Sequence, residues 1–383
     1  MKFNYLFSFI IFFFTISILS AQDLPKDSIV GNVKSVREKV IFLTEKENPQ
    51  MLYDSDYGHS GFMGPKSTVA KFFTLWYSTP YSYFINYERF YLPNRKIDRE
   101  NWFGKKGELI NSYRYIYDKK NRLISRIDST SYSISTENHF YREYGENDEH
   151  LLENIFYQSL AFNNFAHIFK YYKDGKLSRR KNFDDDGSVR ETINYYNEAG
   201  KLDHQILKDP STWVQLENNG HSYGVYDSIG VVYKSLQNFY DSKNRLIKTQ
   251  EYAIDGQKYS NDIVEGNQRI MSYKGDNLVR ISTIMSNQKP YYDHFEYNKA
   301  NQLTAKYCCD EDIFKAQNIE KYKYKNGVVS ELSYTRQNYH TKKMEKSYSL
   351  FTYKYDAHHN WVEIIKSVDG VALYKWIREI EYY

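Results

Sequence analysis

The sequence predicts an all-β fold: an extended antiparallel meander of YD-type β-hairpin repeats, in an open or curled sheet. Three observations predict it. A Tyr-Asp turn recurs along the 383 residues, the flanking segments alternate with a period of two, and 40 Tyr and 23 Phe coexist with a low mean hydropathy of −0.73. Helical periodicity is absent from the repeat region, where side chains of one kind recur at every second position.

The turn has seven positions: aromatic, polar, two free, Gly or Asn, polar, aliphatic. It is written as FGKKGEL from Phe103, YDKKNRL from Tyr117, FDDDGSV from Phe183, YNEAGKL from Tyr196, YDSIGVV from Tyr226, YDSKNRL from Tyr240, YNKANQL from Tyr297 and YDAHHNW from Tyr355. Shorter forms are YKDGKL from Tyr172 and YKNGVV from Tyr324, with YKGDNL from Tyr273 a looser relative. In the two fullest copies the structural residues are Tyr117, Asp118, Asn121 and Leu123, and Tyr240, Asp241, Asn244 and Leu246; Tyr355 and Asp356 open the last. Asp or Asn at the second position starts a type I turn, because its side chain accepts from amides ahead of it. Gly or Asn at the fifth tolerates the positive φ needed to re-enter a strand through a one-residue bulge. Copies spaced by roughly a dozen residues leave room for one strand and one turn, so successive strands pair antiparallel. A sheet of this kind has little deep interior. Tyr suits it, with the ring covering a neighbouring strand and the hydroxyl in water.

These copies resemble the YD repeats of the RHS family, whose pattern is Tyr-Asp-x-x-Gly-Arg-Leu. Tyr117–Leu123 and Tyr240–Leu246 match it except for Asn at the Gly position. The resemblance covers roughly Tyr91 to the C-terminus and implies the β-sheet building block. Long members of that family wind the sheet into a hollow shell around a C-terminal toxin. This chain is too short for such a cargo and ends in a strand-like segment, ALYKWIREIEYY, so the resemblance implies no toxin activity. It is similar to small exported YD-type bacterial proteins.

The N-terminus reads as a targeting signal. Lys2 precedes the apolar run Leu6 to Leu19, and SAQD follows, which places cleavage after Ala21. An uncleaved anchor is the other reading. The run is shorter than the roughly 20 residues that span a bilayer, and no other stretch is apolar enough, so the chain carries no transmembrane span after cleavage. Residues 22–90 form an N-terminal β segment opening the same sheet, with Val33, Val36 and Val40 in its first strand and a loop over Tyr53–Ser67; residues 91–383 hold the repeats. The localisation expected is exported: periplasm, outer surface or secreted.

With 52 basic and 48 acidic residues the charge is nearly balanced, which argues against nucleic acid as a partner. Cys308 and Cys309, the only cysteines, are neighbours and read as free thiols, because a ring closed between adjacent residues strains the peptide; pairing with another molecule is the lesser alternative. Candidate chemistry is sparse. GHSGFMGPKS lacks both the Gly-Lys of a phosphate loop and the second Gly of a nucleophile elbow. Asp184–Gly187 lacks the spaced ligands and distal Glu of a calcium loop. Cys308-Cys309 and His358-His359 point to alternate faces if they lie on strands, and neither pair chelates alone. No cofactor or metal is expected.

The function expected is non-enzymatic: an interaction scaffold in the cell envelope or outside the cell, with an unidentified protein or polysaccharide as partner. The alternative is a glycan-binding module that uses an exposed aromatic surface, Trp76, Tyr77, Tyr81 and Tyr83 in LWYSTPYSYF. Open sheet edges would also permit an edge-strand dimer.

Overall fold

The computed structural model describes residues 29–44, 74–82 and 84–383 apart from short internal gaps. The signal segment, the 53–67 loop, Tyr83, Asp185–Gly187 and the 227–230 turn lie outside the described residues.

The chain is all-β. The strands are β1 (Val33–Phe42), β2 (Asn86–Tyr91), β3 (Ile97–Phe103), β4 (Leu109–Tyr117), β5 (Leu123–Thr130), β6 (Thr136–Tyr144), β7 (His150–Ser159) and β8 (Asn164–Lys173). Then come β9 (Lys176–Asp184), β10 (Val189–Tyr196), β11 (Leu202–Asp209), β12 (Trp213–Asn218), β13 (His221–Tyr226), β14 (Val231–Tyr240), β15 (Leu246–Ile254) and β16 (Ile263–Lys274). The last are β17 (Asn277–Ile284), β18 (Tyr291–Tyr297), β19 (Leu303–Cys308), β20 (Asn318–Lys325), β21 (Val328–Gln337), β22 (Met344–Tyr355), β23 (Trp361–Val368) and β24 (Val371–Tyr382). Among the described residues no helix is long and apolar enough to cross a membrane.

Every seven-residue turn that falls within the described residues is a bulged hairpin. Asp118 N–H donates to Arg122 O and Asn121 N–H to Asp118 O; Asp241, Arg245 and Asn244 repeat this. The Asp carboxylate accepts from two amides, Lys120 and Arg122 at 2.9 and 2.8 Å in one turn, Lys243 and Arg245 both at 2.9 Å in the other. Its second oxygen accepts from the Arg Nε at 2.7 and 2.8 Å. This explains why Arg follows the Asn. The fifth residues sit in the left-handed region: Asn121 at φ 61°, Gly200 at 74°, Asn244 at 60°, Asn301 at 57° and His359 at 64°. Each strand shifts register at the aromatic, between Ile116 and Tyr117 and between Phe239 and Tyr240. Asp356 builds the last turn on the same bonds.

Two corrections apply to the expected sheet. Among the described residues twenty-two strands form one antiparallel sheet, and it closes, because β1 pairs with both β2 and β24; β12 and β13 form a separate hairpin. The sheet is therefore not open or curled. Among the described residues, the strands left out of that closed sheet are those of the hairpin. The closing seam is built from sequence-distant residues. Tyr383 N–H donates to Asn32 O at 2.9 Å, and Arg378 Nε pairs with Glu38 at 2.9 Å with both side chains 2 % exposed or less.

The second correction concerns the tyrosine hydroxyls. Those of six turn-leading tyrosines are bonded to the protein rather than left to water. The leading Tyr of a turn donates to the carbonyl of the aliphatic residue that closes the preceding turn at the same end of the meander. The pairs are Tyr117 to Ile97, Tyr144 to Leu123, Tyr196 to Leu177, Tyr240 to Leu202 and Tyr273 to Leu246, at 2.7 to 3.0 Å. Tyr324 does the same to Leu303. The sixth-position cation lies over the next ring: Arg122 is 4.5 Å from the Tyr144 centroid, and Arg245 is 4.5 Å from Tyr273. One motif thus makes its own turn and binds its neighbour's.

The chain divides into two compact units. One comprises 41–83 and 294–376 with the N-terminal residues; the other comprises 32–40, 84–293 and 377–383. The first is centred on apolar and aromatic side chains, among them Trp76, Leu332, Ile364, Tyr374 and Trp376, all 1 % exposed or less. The second buries charge. Directly opposed residues on successive strands put Arg89, Glu100, Tyr113 and Asp128 in one row. Glu100 is fully buried; it accepts from Arg89 Nε at 2.8 Å and from Trp102 Nε1 at 2.6 Å.

Candidate functional site

Of the residues read as an exposed aromatic row, Trp76 and Tyr77 are packed inward. Trp76 is 1 % and Tyr77 4 % exposed, and Tyr81 is half-buried. They belong to a segment with one helical turn at 74–78. Trp76 meets Trp376 at 5.3 Å between centroids, and Tyr77 meets Phe351 at 5.1 Å, with its hydroxyl 3.1 Å from that of Tyr353. The cause is Lys366, which is fully buried on β23. Its ammonium donates to the carbonyls of Trp76, Thr79 and Tyr81 at 2.8, 2.5 and 3.0 Å. Rings of Trp76 and Phe351 flank it at 5.2 and 5.7 Å. Burial pushes the Lys366 pKa well below the ordinary lysine value, while the three carbonyl dipoles favour the charged form. This is an anchor for the 74–82 segment, with the chemistry of a helix C-terminus capped by a cation.

A partly exposed ring surface lies elsewhere, on β6 to β9 of the second unit. Strand alternation gives this stretch two faces. Glu153, Ile155 and Ile168 are buried on one. On the other, His139, Phe156, His167 and Phe183 stand directly opposite one another on successive strands. The next row is Tyr141, Asn154, Phe169, Lys181 and Glu191. Tyr141 is 48 % exposed and the other rings are half-buried. The rings touch. His139 stacks on Tyr141 at 6.1 Å and 7°, His167 meets Phe169 at 4.3 Å, and Phe156 and Phe183 meet these two edge-on at 5.8 and 5.7 Å. Polar groups border the rings: Asn154 Oδ1 lies 2.5 Å from His167 Nε2, and Glu191 pairs with Arg179 and, at 4.0 Å, with Lys181. The result is a ring-lined strip with Asn154 among the rings and Lys181 and Glu191 beside them.

Sequence reasoning missed this patch. The signal was available as alternation in HLLENIFYQS and NFAHIFKYYK, where aromatics and histidines share one parity, but pairing between strands decides that they meet. It also missed two turns of the motif, YLPNRKI from Tyr91 and YGENDEH from Tyr144, which lack Gly or Asn at the fifth position; Arg95 takes φ 66° there. Cys308 and Cys309 are bonded to each other rather than free. Cys309 lies past the end of β19 at φ 85°, so strand alternation no longer separates the two sulfurs. Among the described residues no three His, Cys, Asp or Glu side chains form a group able to hold a metal ion.

No protein-family model and no curated protein matches this chain. Among solved structures, a porin-like protein from Bacteroides uniformis aligns over 91 % of this chain and 98 % of its own, at 9 % identity and a TM-score of 0.27. The Photorhabdus luminescens Tc holotoxin pore aligns over 76 % of this chain and 26 % of its own, at 8 % identity and a TM-score of 0.14. Scores this low carry no argument about fold or function.

Proposed function

We propose that this is an exported, non-enzymatic β-repeat scaffold of the YD type, and that the exposed face of β6 to β9 binds a polysaccharide. The observation that carries the reading is the contiguous ring patch of Tyr141, Phe156, His167, Phe169 and Phe183, bordered by Asn154, Lys181 and Glu191. Sugar rings present C–H faces that stack on aromatic rings and hydroxyls that hydrogen-bond to amide and charged groups at the edge. A strand-built surface holds that arrangement in place before the ligand arrives, which lowers the ordering cost. The positive start, apolar run and small residues of the N-terminus support export.

Affinity electrophoresis in gels cast with a broad panel of neutral and acidic polysaccharides tests the reading. Retardation of the wild-type chain by at least one polymer is expected, with affinity reduced about tenfold in Phe169→Ala or Tyr141→Ala. No retardation across the panel, or retardation unchanged in both variants, would overturn it. Release of reducing ends from a retained polymer would overturn the non-enzymatic part.

A further inference from the structure

Phe314 is 92 % exposed; the next most exposed large apolar side chain among the described residues, Val232, reaches 62 %. Isolated surface apolar residues are ordinary. This one is not ordinary, because the loop that carries it is built to hold it out. The chain leaves β19 at the Cys308–Cys309 bond, makes a 3-10 turn at Ile313–Lys315 and returns into β20. Gln317 N–H donates to Cys308 O at 3.1 Å and closes the loop's base. Asp310 accepts from the Asp312 amide at 2.9 Å, and Asp312 accepts from the Phe314 amide at 3.0 Å. His294 Nε2 lies 3.1 Å from Asp310 O. Beneath the turn, Ala305, Tyr307 and Ala316 are buried, and Ile313 and Ile319 pack against them. Ile313 and Ala316 occupy that small core, and Phe314, between them in the turn, faces away.

We propose that the 308–318 loop is a preorganised docking knob, with Phe314 as the anchor that enters an apolar socket on a partner protein whose rim carries Lys or Arg. The charge around the ring selects the rim. Residues 310–315 hold three carboxylates, Asp310, Glu311 and Asp312, and one cation, Lys315, which pairs with Asp312 at 3.6 Å. An acidic surround disfavours an anionic lipid surface and favours a basic protein rim. A rigid aromatic anchor is the residue type that dominates interface energy, and bracing removes most of the ordering cost on binding. The loop shares no residue with the ring patch of β6 to β9, so variants at Phe314 and at Phe169 test the two readings separately.

The test uses the full chain and an array of synthetic decapeptides with an aliphatic or aromatic centre, flanked by Lys/Arg in one set and by Asp/Glu in the other. Selective binding to the Lys/Arg set is expected, weakened at least tenfold by Phe314→Ala, kept by Phe314→Trp, and reduced about threefold by Glu311→Gln at low salt. An unchanged melting temperature in Phe314→Ala would show that the loss is not unfolding. Failure to bind either set, preference for the Asp/Glu set, or equal binding by Phe314→Ala would overturn the proposal. So would Phe314-dependent sedimentation with phosphatidylglycerol vesicles, which would assign the knob to a membrane.

Discussion

The two compact units bury cations by opposite means. In one, Lys366 lies among aromatic rings and is held by three backbone carbonyls. In the other, Arg378 meets Glu38, Arg89 meets Glu100, Arg126 meets Asp128, and Lys170 and Arg142 share Glu153. A charge taken out of water must regain its solvation from dipoles or from a counter-charge. Dipoles can be supplied only by a segment whose own hydrogen bonds are incomplete. The end of the short 74–78 turn is such a segment, since its last carbonyls have no partner further along the helix. Along the strands of the other unit the cations lie beside acidic side chains and pair with their carboxylates.

The comparison is broken most severely by removing one member of a counter-charged pair. Glu38→Ala leaves Arg378 buried without its carboxylate and is expected to cost about 3–5 kcal/mol in denaturant unfolding, most of it recovered in the Glu38→Ala/Arg378→Met double variant. Lys366→Met is expected to cost less, about 2–3 kcal/mol, since it strands three neutral carbonyls and no opposite charge. Equal costs would mean that the two units do not differ in the way described.

Protons sharpen the contrast. Burial raises the Asp128 carboxyl to about 6 from an ordinary 3.8, although Arg126 pulls the other way. Its folded value exceeds its unfolded one, so the protonated form favours folding. That contribution is complete below about pH 3.8 and is lost as pH rises through about 6, roughly 3 kcal/mol in all. Glu153, held low by Lys170 and Arg142 against the opposing effect of burial, acts with opposite sign and loses its contribution as pH falls. Asp128→Asn is therefore expected to change the slope of stability between pH 4 and 6 relative to wild type, measured by urea titration at each pH. Parallel slopes would contradict the assignment. The smallest effect is expected at the turns: Tyr240→Phe removes the bond to Leu202 O and should cost about 1 kcal/mol.

The turns were legible because their chemistry is local. Asp118, Asn121 and Arg122 satisfy one another within five residues, and the text of the motif is the text of the hydrogen bonds. The tyrosine bonds were half legible: the repetition of Tyr117 and Tyr144 marks them, but the carbonyl each reaches belongs to the preceding copy. Closure was not legible. Glu38 and Arg378 are 340 positions apart, and nothing in either strand's alternation names the other. Nor does alternation say which parity is buried. The expected binding row at Trp76 carries no local sign of burial, because Lys366, 290 residues away, draws it inward. The ring patch of β6 to β9 stayed hidden for the same reason, since His139, Phe156, His167 and Phe183 become one surface only in the observed register.

Closure of the sheet by β1 is the claim on which the rest depends, and native-state hydrogen exchange of the Val33–Phe42 amides tests it most directly. A strand paired on both sides should exchange only through global unfolding, with the same free energy as the amides of β4 and β5. Exchange of the Val33–Phe42 amides at the rate of an unpaired edge, while β4 and β5 remain protected, would contradict it.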